Sequence, residues 1–231
     1  NHGLLPEELI GCKTQLDMIT CLGVDVFSRN IYCRQDEYWF GGICDEYFDN
    51  GEVEVSIRSE NSNKLTAKDY RFSKGLLSEE LLYVFDESTI VQKKFLITDY
   101  IEQGGLLEQF VSSRKWKFNK MKFIQAETEV GDRGLVVVGD FFSPLKLLHL
   151  VMGPVNAVYF LMEQPEFARI IMEIHEKNQL DLVRQVVSNG VRVIMSMDNL
   201  DTMFHPPEYV EAYSASFYEK AAAICHEYGA L

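Results

Sequence analysis

The segment Val191–Asp201, VRVIMSMDNLD, places acidic and amide side chains directly after an apolar run. The apolar part, Val191–Met195, lies between two long amphipathic stretches, which is typical of a buried parallel strand. Polar groups just past the carboxyl end of such a strand face a ligand crevice or a barrel mouth. We therefore predict Asp198 and Asn199 as catalytic residues. The alternative is that Asn199 or Asp201 caps the next helix or forms an Asx-turn.

His205 follows Asp198 in the same loop and is the third predicted catalytic residue. An imidazole can transfer protons near neutral pH, and a loop at a strand end is a suitable place for one. From this segment alone we expect Asp198→Ala to lower turnover sharply and to leave the melting temperature within a few degrees.

A second apolar run, Gly134–Gly139, also ends in polar and aromatic residues. Asp140, Phe142 and Ser143 follow it and are predicted to bind substrate. Ser143 could instead cap a helix whose first turn contains Pro144. Asp25, in the short apolar run that ends at Phe27, is a further candidate for substrate binding, although a structural, hydrogen-bonded aspartate fits that position equally well.

The middle of the chain has a different pattern from its C-terminal half. Strand-like runs at Glu52–Ile57, Leu81–Phe85 and Ile90–Phe95 predict an antiparallel β-rich insertion over residues 45–98. Residues 134–231 alternate between strand and helix, which fits βα units of a barrel or an open sheet. We expect one domain over residues 1–231.

Helical spacing predicts several helices around these strands. They cover Pro6–Cys21, Asp99–Phe110, Arg114–Val130, two short helices broken at Gly153 and Pro154, Gln164–Ser188 and Pro206–His226.

Composition excludes several classes of partner. The 231 residues carry a net charge of −13, which argues against binding nucleic acid or anionic lipid.

None of the five cysteines forms a C-x-x-C pair, and the spacing of Cys12, Cys21, Cys33 and Cys44 does not fit known zinc or iron–sulfur sites. These features predict free thiols in a reducing compartment, hence a cytoplasmic protein. We expect no signal peptide and no apolar run of membrane-spanning length. Gly229 should end the last helix, and Leu231 should then begin another strand.

The segment Val138–Leu147 resembles the G-x-x-G-x-P-[FW]-T-L loop of the uroporphyrinogen decarboxylase superfamily. Gly139, Pro144 and Leu147 match this loop, whereas Phe142 replaces its second glycine and Leu145-Lys146 replaces its aromatic-Thr pair. His149 falls on the family's site tyrosine and is therefore predicted to bind substrate. Further similarities lie at residues 164–166, 189–190, 198, 207–209 and 226–229.

This resemblance implies a (β/α)8 TIM barrel, incomplete at its C-terminus, with an N-terminal antiparallel insertion. Leu22–Asp25 and the β-rich residues 50–98 resemble the N-terminal part of the superfamily's cobalamin-dependent methyltransferase branch. The implied function is transfer of a methyl group from a methylated corrinoid, carried by a small corrinoid protein, to a thiol or folate acceptor. The implied cofactors are zinc and cobalamin. Zinc would activate the acceptor, but its His-x-Cys ligands are expected just after Leu231, so this chain should contain no metal ligand.

Three departures argue against a true porphyrinogen decarboxylase, which is the alternative function. Arg29 follows Phe27-Ser28 where the decarboxylases have their essential aspartate, their arginine-rich substrate motif is not found, and His149 stands at the position of their site tyrosine. The second alternative is a binding barrel without catalysis.

Overall fold

The computed structural model describes residues 6–28, 42–51, 53–60, 65–84, 89–200, 203 and 205–231. The fold is mixed α/β, with 50% of residues helical and 26% in strands, and no closed barrel is formed within the described part of the chain. The predicted α/β class is therefore confirmed.

In chain order the regular elements are α1 (Gln15–Cys21), β1 (Val26–Ser28), β2 (Cys44–Phe48), β3 (Glu54–Glu60), β4 (Leu65–Phe72), β5 (Gly75–Val84), β6 (Thr89–Lys94), α2 (Gly104–Ser113), β7 (Arg114–Phe118), α3 (Lys120–Val130), β8 (Gly134–Val136), β9 (Val138–Phe141), α4 (Pro144–Glu163), α5 (Pro165–Ser188), β10 (Ile194–Ser196), α6 (Pro207–Tyr213) and α7 (Ala215–Glu227).

Parallel pairing joins segments that follow one another around the helical connections. β1 is parallel to β8, and β9, which only one residue separates from β8, is parallel to β10. The N–H of Leu231 donates to the carbonyl of Arg192, and its carbonyl accepts from the N–H of Ile194, both at 2.8 Å. This is the hydrogen-bond pattern of a parallel neighbour. Among the segments that pair in parallel, each thus lies beside the next such segment along the chain, whereas β2–β7, which lie between β1 and β8, pair in antiparallel fashion.

The helix that follows β9 begins as its sequence requires. Ser143 is the N-cap of α4, its hydroxyl accepts from the N–H of Lys146 at 3.2 Å, and Pro144 occupies the first turn. Gly153, with φ 78° and ψ 157°, interrupts the helix at the predicted break.

The two helical segments nevertheless form one element, Pro144–Glu163, that is long and apolar enough to cross a membrane. That corrects the expectation that no such segment exists. Because 56% of it is buried inside the fold, it has the character of a core helix and is weak evidence for a membrane span.

The antiparallel insertion is present as a four-stranded meander in the order β3-β4-β5-β6. β2 lies outside it and pairs with β7. The prediction of a helix over Arg114–Val130 is therefore wrong in its first part, since Arg114–Phe118 alternates in a strand against β2 and the helix begins only at Lys120. The predicted last helix is divided at Ser214 into α6 and α7, and the predicted first helix is shortened to α1, preceded by a 3-10 turn.

Buried side chains form two clusters that meet along α5. One cluster contains Val136, Val138 and Phe141 of the parallel strands, with Val183 and Val186 from the second half of α5. The other contains apolar residues of α2 and α4, with residues from the first half of α5: Leu107, Phe110, Leu147, Leu148, Phe160, Ala168 and Ile171. The parallel strands are thus covered by α5, and their carboxyl ends lead toward α4.

Gly153→Ala tests the packing at the kink in α4. A Cβ at this position would lie 2.8 Å from the ring of Phe95, and the backbone there adopts a conformation that is nearly exclusive to glycine. We expect a loss of about 3 kcal/mol or more in the free energy of unfolding, measured by denaturant titration. Gly190→Ala is the matched control, because Gly190 also has a positive φ of 93° but no atom within 4 Å of the added Cβ. Equal losses in the two variants would contradict the steric role of Phe95.

Candidate functional site

The carboxyl ends of β9 and β10 are joined by Ser143 and Asp198. The Ser143 N–H donates to both carboxylate oxygens of Asp198, at 3.0 and 3.2 Å, and its hydroxyl donates to Oδ1 at 3.3 Å. Two of the residues predicted from separate strand ends therefore lie in direct contact. Ser143 also caps α4, which confirms the alternative interpretation of this residue.

Three further hydroxyl groups complete the network around this carboxylate. Ser196 and Tyr218 donate to Asp198 Oδ2 at 2.7 and 2.5 Å, and Ser214 donates to Ser143 Oγ at 3.1 Å. Burial, and then the hydrogen bond and charge of Asp198, raise the pKa of the Tyr218 phenol well above its ordinary value. Tyr218 is therefore a neutral hydrogen-bond donor throughout the physiological range of pH.

The backbone of Phe142, just before Ser143, is held from α5. Its N–H donates to Gln179 Oε1, and its carbonyl accepts from His175 Nε2, both at 3.2 Å. His175 and Gln179 are one helical turn apart and are 1% and 0% exposed, so both approach the strand end from the same face of α5. The Phe142 ring packs against His175 and Trp116, with centroids 4.7 and 6.0 Å apart.

The two predicted site histidines lie together. His149, on α4, and His205, in the connection from β10 to α6, are both buried, and their ring centroids are 4.5 Å apart in an edge-to-face arrangement. The structure thus brings His149, which was predicted to bind substrate, into contact with His205, the predicted acid–base residue.

Other predicted residues are placed differently. Asp25 is exposed and precedes β1, so the prediction that it lies within a buried strand is wrong. Because β1 is parallel to β8, Asp25 lies at the amino ends of these strands, opposite Ser143 and Asp198. Asn199 is exposed beside Asp198. The side chain of Asp140 and the whole of Asp201 lie outside the described residues.

The sequence did contain a signal for the residues that were missed. Ser214 and Tyr218 are four positions apart, a spacing that puts both on one face of a helix. The prediction of one uninterrupted helix over Pro206–His226 concealed only the boundary at Ser214, which is the N-cap of α7. Ser196 could have been found by the period of two along β10, since Ser196 and Asp198 are two residues apart.

The chemistry available here is that of an oriented carboxylate surrounded by hydroxyl groups. The four donor groups of Ser143, Ser196 and Tyr218 hold this carboxylate in one position, which suits it to orient a ligand. No group of three His, Cys, Asp or Glu side chains suited to a metal ion occurs among the residues that the structure describes. These residues therefore do not fit the zinc ion that the resemblance implies.

Comparison of the chain with protein-family models, with curated proteins and with solved structures finds no match.

The hydrogen bonds of Asp198 change the expected outcome of its substitution. Asp198→Ala would leave the buried Ser143 groups without their acceptor, so we expect a loss of about 3 kcal/mol in stability, or roughly 5–10 °C in melting temperature. Tyr218→Phe, which removes one donor, should cost about 1 kcal/mol. Asp181→Ala, at an exposed aspartate of α5, is the control and should change stability by less than about 0.5 kcal/mol. A melting temperature for Asp198→Ala equal to that of Asp181→Ala would contradict this network.

His175 should make stability depend on pH. Burial lowers the pKa of its imidazole to about 3, and the charge of Arg114 acts in the same direction, against the hydrogen bond to Phe142. The unfolded chain therefore binds one more proton than the native protein below about pH 6.5, so this contribution to stability is complete above that pH and is lost as the pH falls toward 3.

We expect His175→Gln, which keeps a donor for the Phe142 carbonyl, to flatten the loss of stability between about pH 6 and 4 by about 1 kcal/mol per pH unit. Denaturant titrations at several pH values would measure this. His226→Gln, at an exposed histidine of α7, is the control for loss of one imidazole. Parallel curves for the native chain and His175→Gln would show that His175 is not buried in its neutral form.

Proposed function

We propose that this chain binds a small methyl acceptor at the carboxyl ends of β9 and β10 and acts in methyl transfer from a methylated corrinoid. The observation that carries the proposal is the contact of Ser143 with Asp198, reinforced by Tyr218, at adjacent parallel strand ends. Strand ends of this kind are where α/β folds bind their ligands. The resemblance of Val138–Leu147 and Asp198 to the uroporphyrinogen decarboxylase superfamily, and of Leu22–Asp25 and residues 50–98 to its methyltransferase branch, supports this chemistry.

The proposed architecture is part of a (β/α)8 barrel. In a barrel each strand pairs with the next one in chain order, whereas a doubly wound sheet reverses its strand order at a switch point. With the antiparallel strands β2–β7 set aside, the parallel segments pair in chain order: β1 with β8, β9 with β10, and Leu231 alongside Arg192 and Ile194. This order agrees with a barrel in which β2–β7 are inserted after the first strand.

The residues at the strand ends have separate roles in this proposal. Asp198 and the Tyr218 hydroxyl orient the acceptor, because their mutual hydrogen bonds fix their positions before a ligand arrives. His205, in contact with His149, takes the proton that the acceptor loses on becoming a nucleophile.

The corrinoid is a substrate delivered by a small partner protein. No zinc ligand is assigned among the described residues. The acidic composition and the free cysteines favour a cytoplasmic setting without nucleic acid or membrane partners.

A methyl-transfer assay with free methylcobalamin tests this proposal. The protein, purified without chelator and analysed for zinc, is incubated with methylcobalamin and either coenzyme M, homocysteine or tetrahydrofolate, and demethylation is followed by absorbance. We expect turnover with one acceptor, and a fall of about a hundredfold in Tyr218→Phe or His205→Gln. Asp25→Asn, at the opposite ends of the strands, is the control and should keep the full rate.

Other results would overturn the proposal in defined ways. Carbon dioxide release from uroporphyrinogen without any demethylation would assign the decarboxylase function instead. Binding of an acceptor without turnover would assign a binding barrel. Demethylation that is unchanged in Tyr218→Phe and His205→Gln would move the site away from these strand ends.

A further inference from the structure

Cys12, which lies three residues before α1, and Cys21, the last residue of α1, lie side by side. The Sγ atoms of Cys12 and Cys21 are 3.3 Å apart, closer than two sulfur atoms in ordinary van der Waals contact. Cys21 is exposed and Cys12 is half-buried, so small reagents in solution can reach the pair. Cys44 and Cys225 are buried.

The surrounding contacts hold the two thiols in this arrangement. A capping box fixes the start of α1, in which the Thr14 side chain accepts from the N–H of Asp17 and Asp17 accepts from the N–H groups of Lys13 and Thr14. These bonds tie the residue after Cys12 to the first turn of the helix. On the inner side Leu16 and Ile19 pack against the core, so the segment that carries both thiols is fixed from two directions.

We propose that Cys12 and Cys21 form a redox modification site, which closes into an intramolecular disulfide by exchange with a low-molecular-weight disulfide such as oxidised glutathione. The sulfur atoms need to approach by only about 1 Å to reach the bond length of a disulfide. Both residues lie in a short, ordered segment, so closure requires no rearrangement of the parallel strands.

The exchange takes place in two balanced steps. The thiolate of Cys21, the more exposed sulfur, attacks oxidised glutathione, a protein–glutathione disulfide forms, and one glutathione thiolate leaves. The thiol of Cys12 then loses its proton and displaces the second glutathione, so that two protein thiols and one small disulfide become one protein disulfide and two glutathione thiols. The hydrogen bond to Cys21 raises the pKa of the Cys12 thiol, which is consistent with Cys12 acting second.

Peptide mapping tests the proposal directly, because trypsin separates all five cysteines. Cleavage after Lys13 and Arg29 places Cys12 in residues 1–13 and Cys21 in residues 14–29, whereas Cys33 falls in residues 30–34. The protein is treated with oxidised glutathione, alkylated, digested without reductant and analysed by mass spectrometry. We expect peptide 1–13 linked to peptide 14–29, and loss of the link on treatment with dithiothreitol.

Two variants give the experiment its controls. Cys12→Ser removes the second thiol, so glutathione should remain on Cys21 as a stable mixed disulfide. Cys33→Ser removes a competing thiol outside the described residues and should leave the 1–13 to 14–29 link unchanged. A stable glutathione adduct on Cys21 of the unmodified sequence, a link from either cysteine to Cys33, or no reaction at all would overturn the proposal.

Discussion

The turn from β9 into α4 leaves the backbone groups of Phe142 and Ser143 inside the fold, where each must find a hydrogen-bond partner. Leaving such a group unpaired costs about 1–3 kcal/mol, so the partners are as necessary as the apolar contacts around them. Gln179 and His175 pair the N–H and the carbonyl of Phe142, and Asp198 accepts from the N–H of Ser143. This one requirement connects α5 and β10 to the strand end, and through Asp198 it also fixes α7.

The same contacts explain why Asp198 can be structural and still serve a ligand. Its donors come from the ends of β9 and β10 and from α7, so its orientation is set before any substrate binds. A carboxylate held in this way is suited to receive a hydrogen bond at a fixed point. In the proposed reaction Asp198 therefore orients the acceptor, and proton transfer is assigned to His205, which contacts His149.

The sequence could predict those features that repeat with a regular period. The meeting of Asp198 and Ser143 followed from two apolar runs that each end in polar residues, since parallel strands present their carboxyl ends at one edge. The break at Gly153 and the helix from Pro165 followed from local backbone chemistry. The helix predicted over Arg114–Phe118 was wrong because this segment pairs with β2, a partner distant in the sequence. Its Trp116 and Phe118 alternate with Lys115 and Lys117, a period-two signal that spans too few residues to distinguish a strand from the start of a helix.

Helix α5 shows how one amphipathic segment serves both clusters and the site. Its first half buries Ala168 and Ile171 in one cluster, and its second half buries Val183 and Val186 in the other. Between them lie the buried polar residues His175, Asn178 and Gln179. The amide of Asn178 donates to the carbonyls of Val111 and Arg114, as the other two side chains bond to Phe142. Polar residues therefore occur on the buried face of α5 where strand and helix ends need partners, and an apolar residue at any of the three positions would leave backbone groups unpaired.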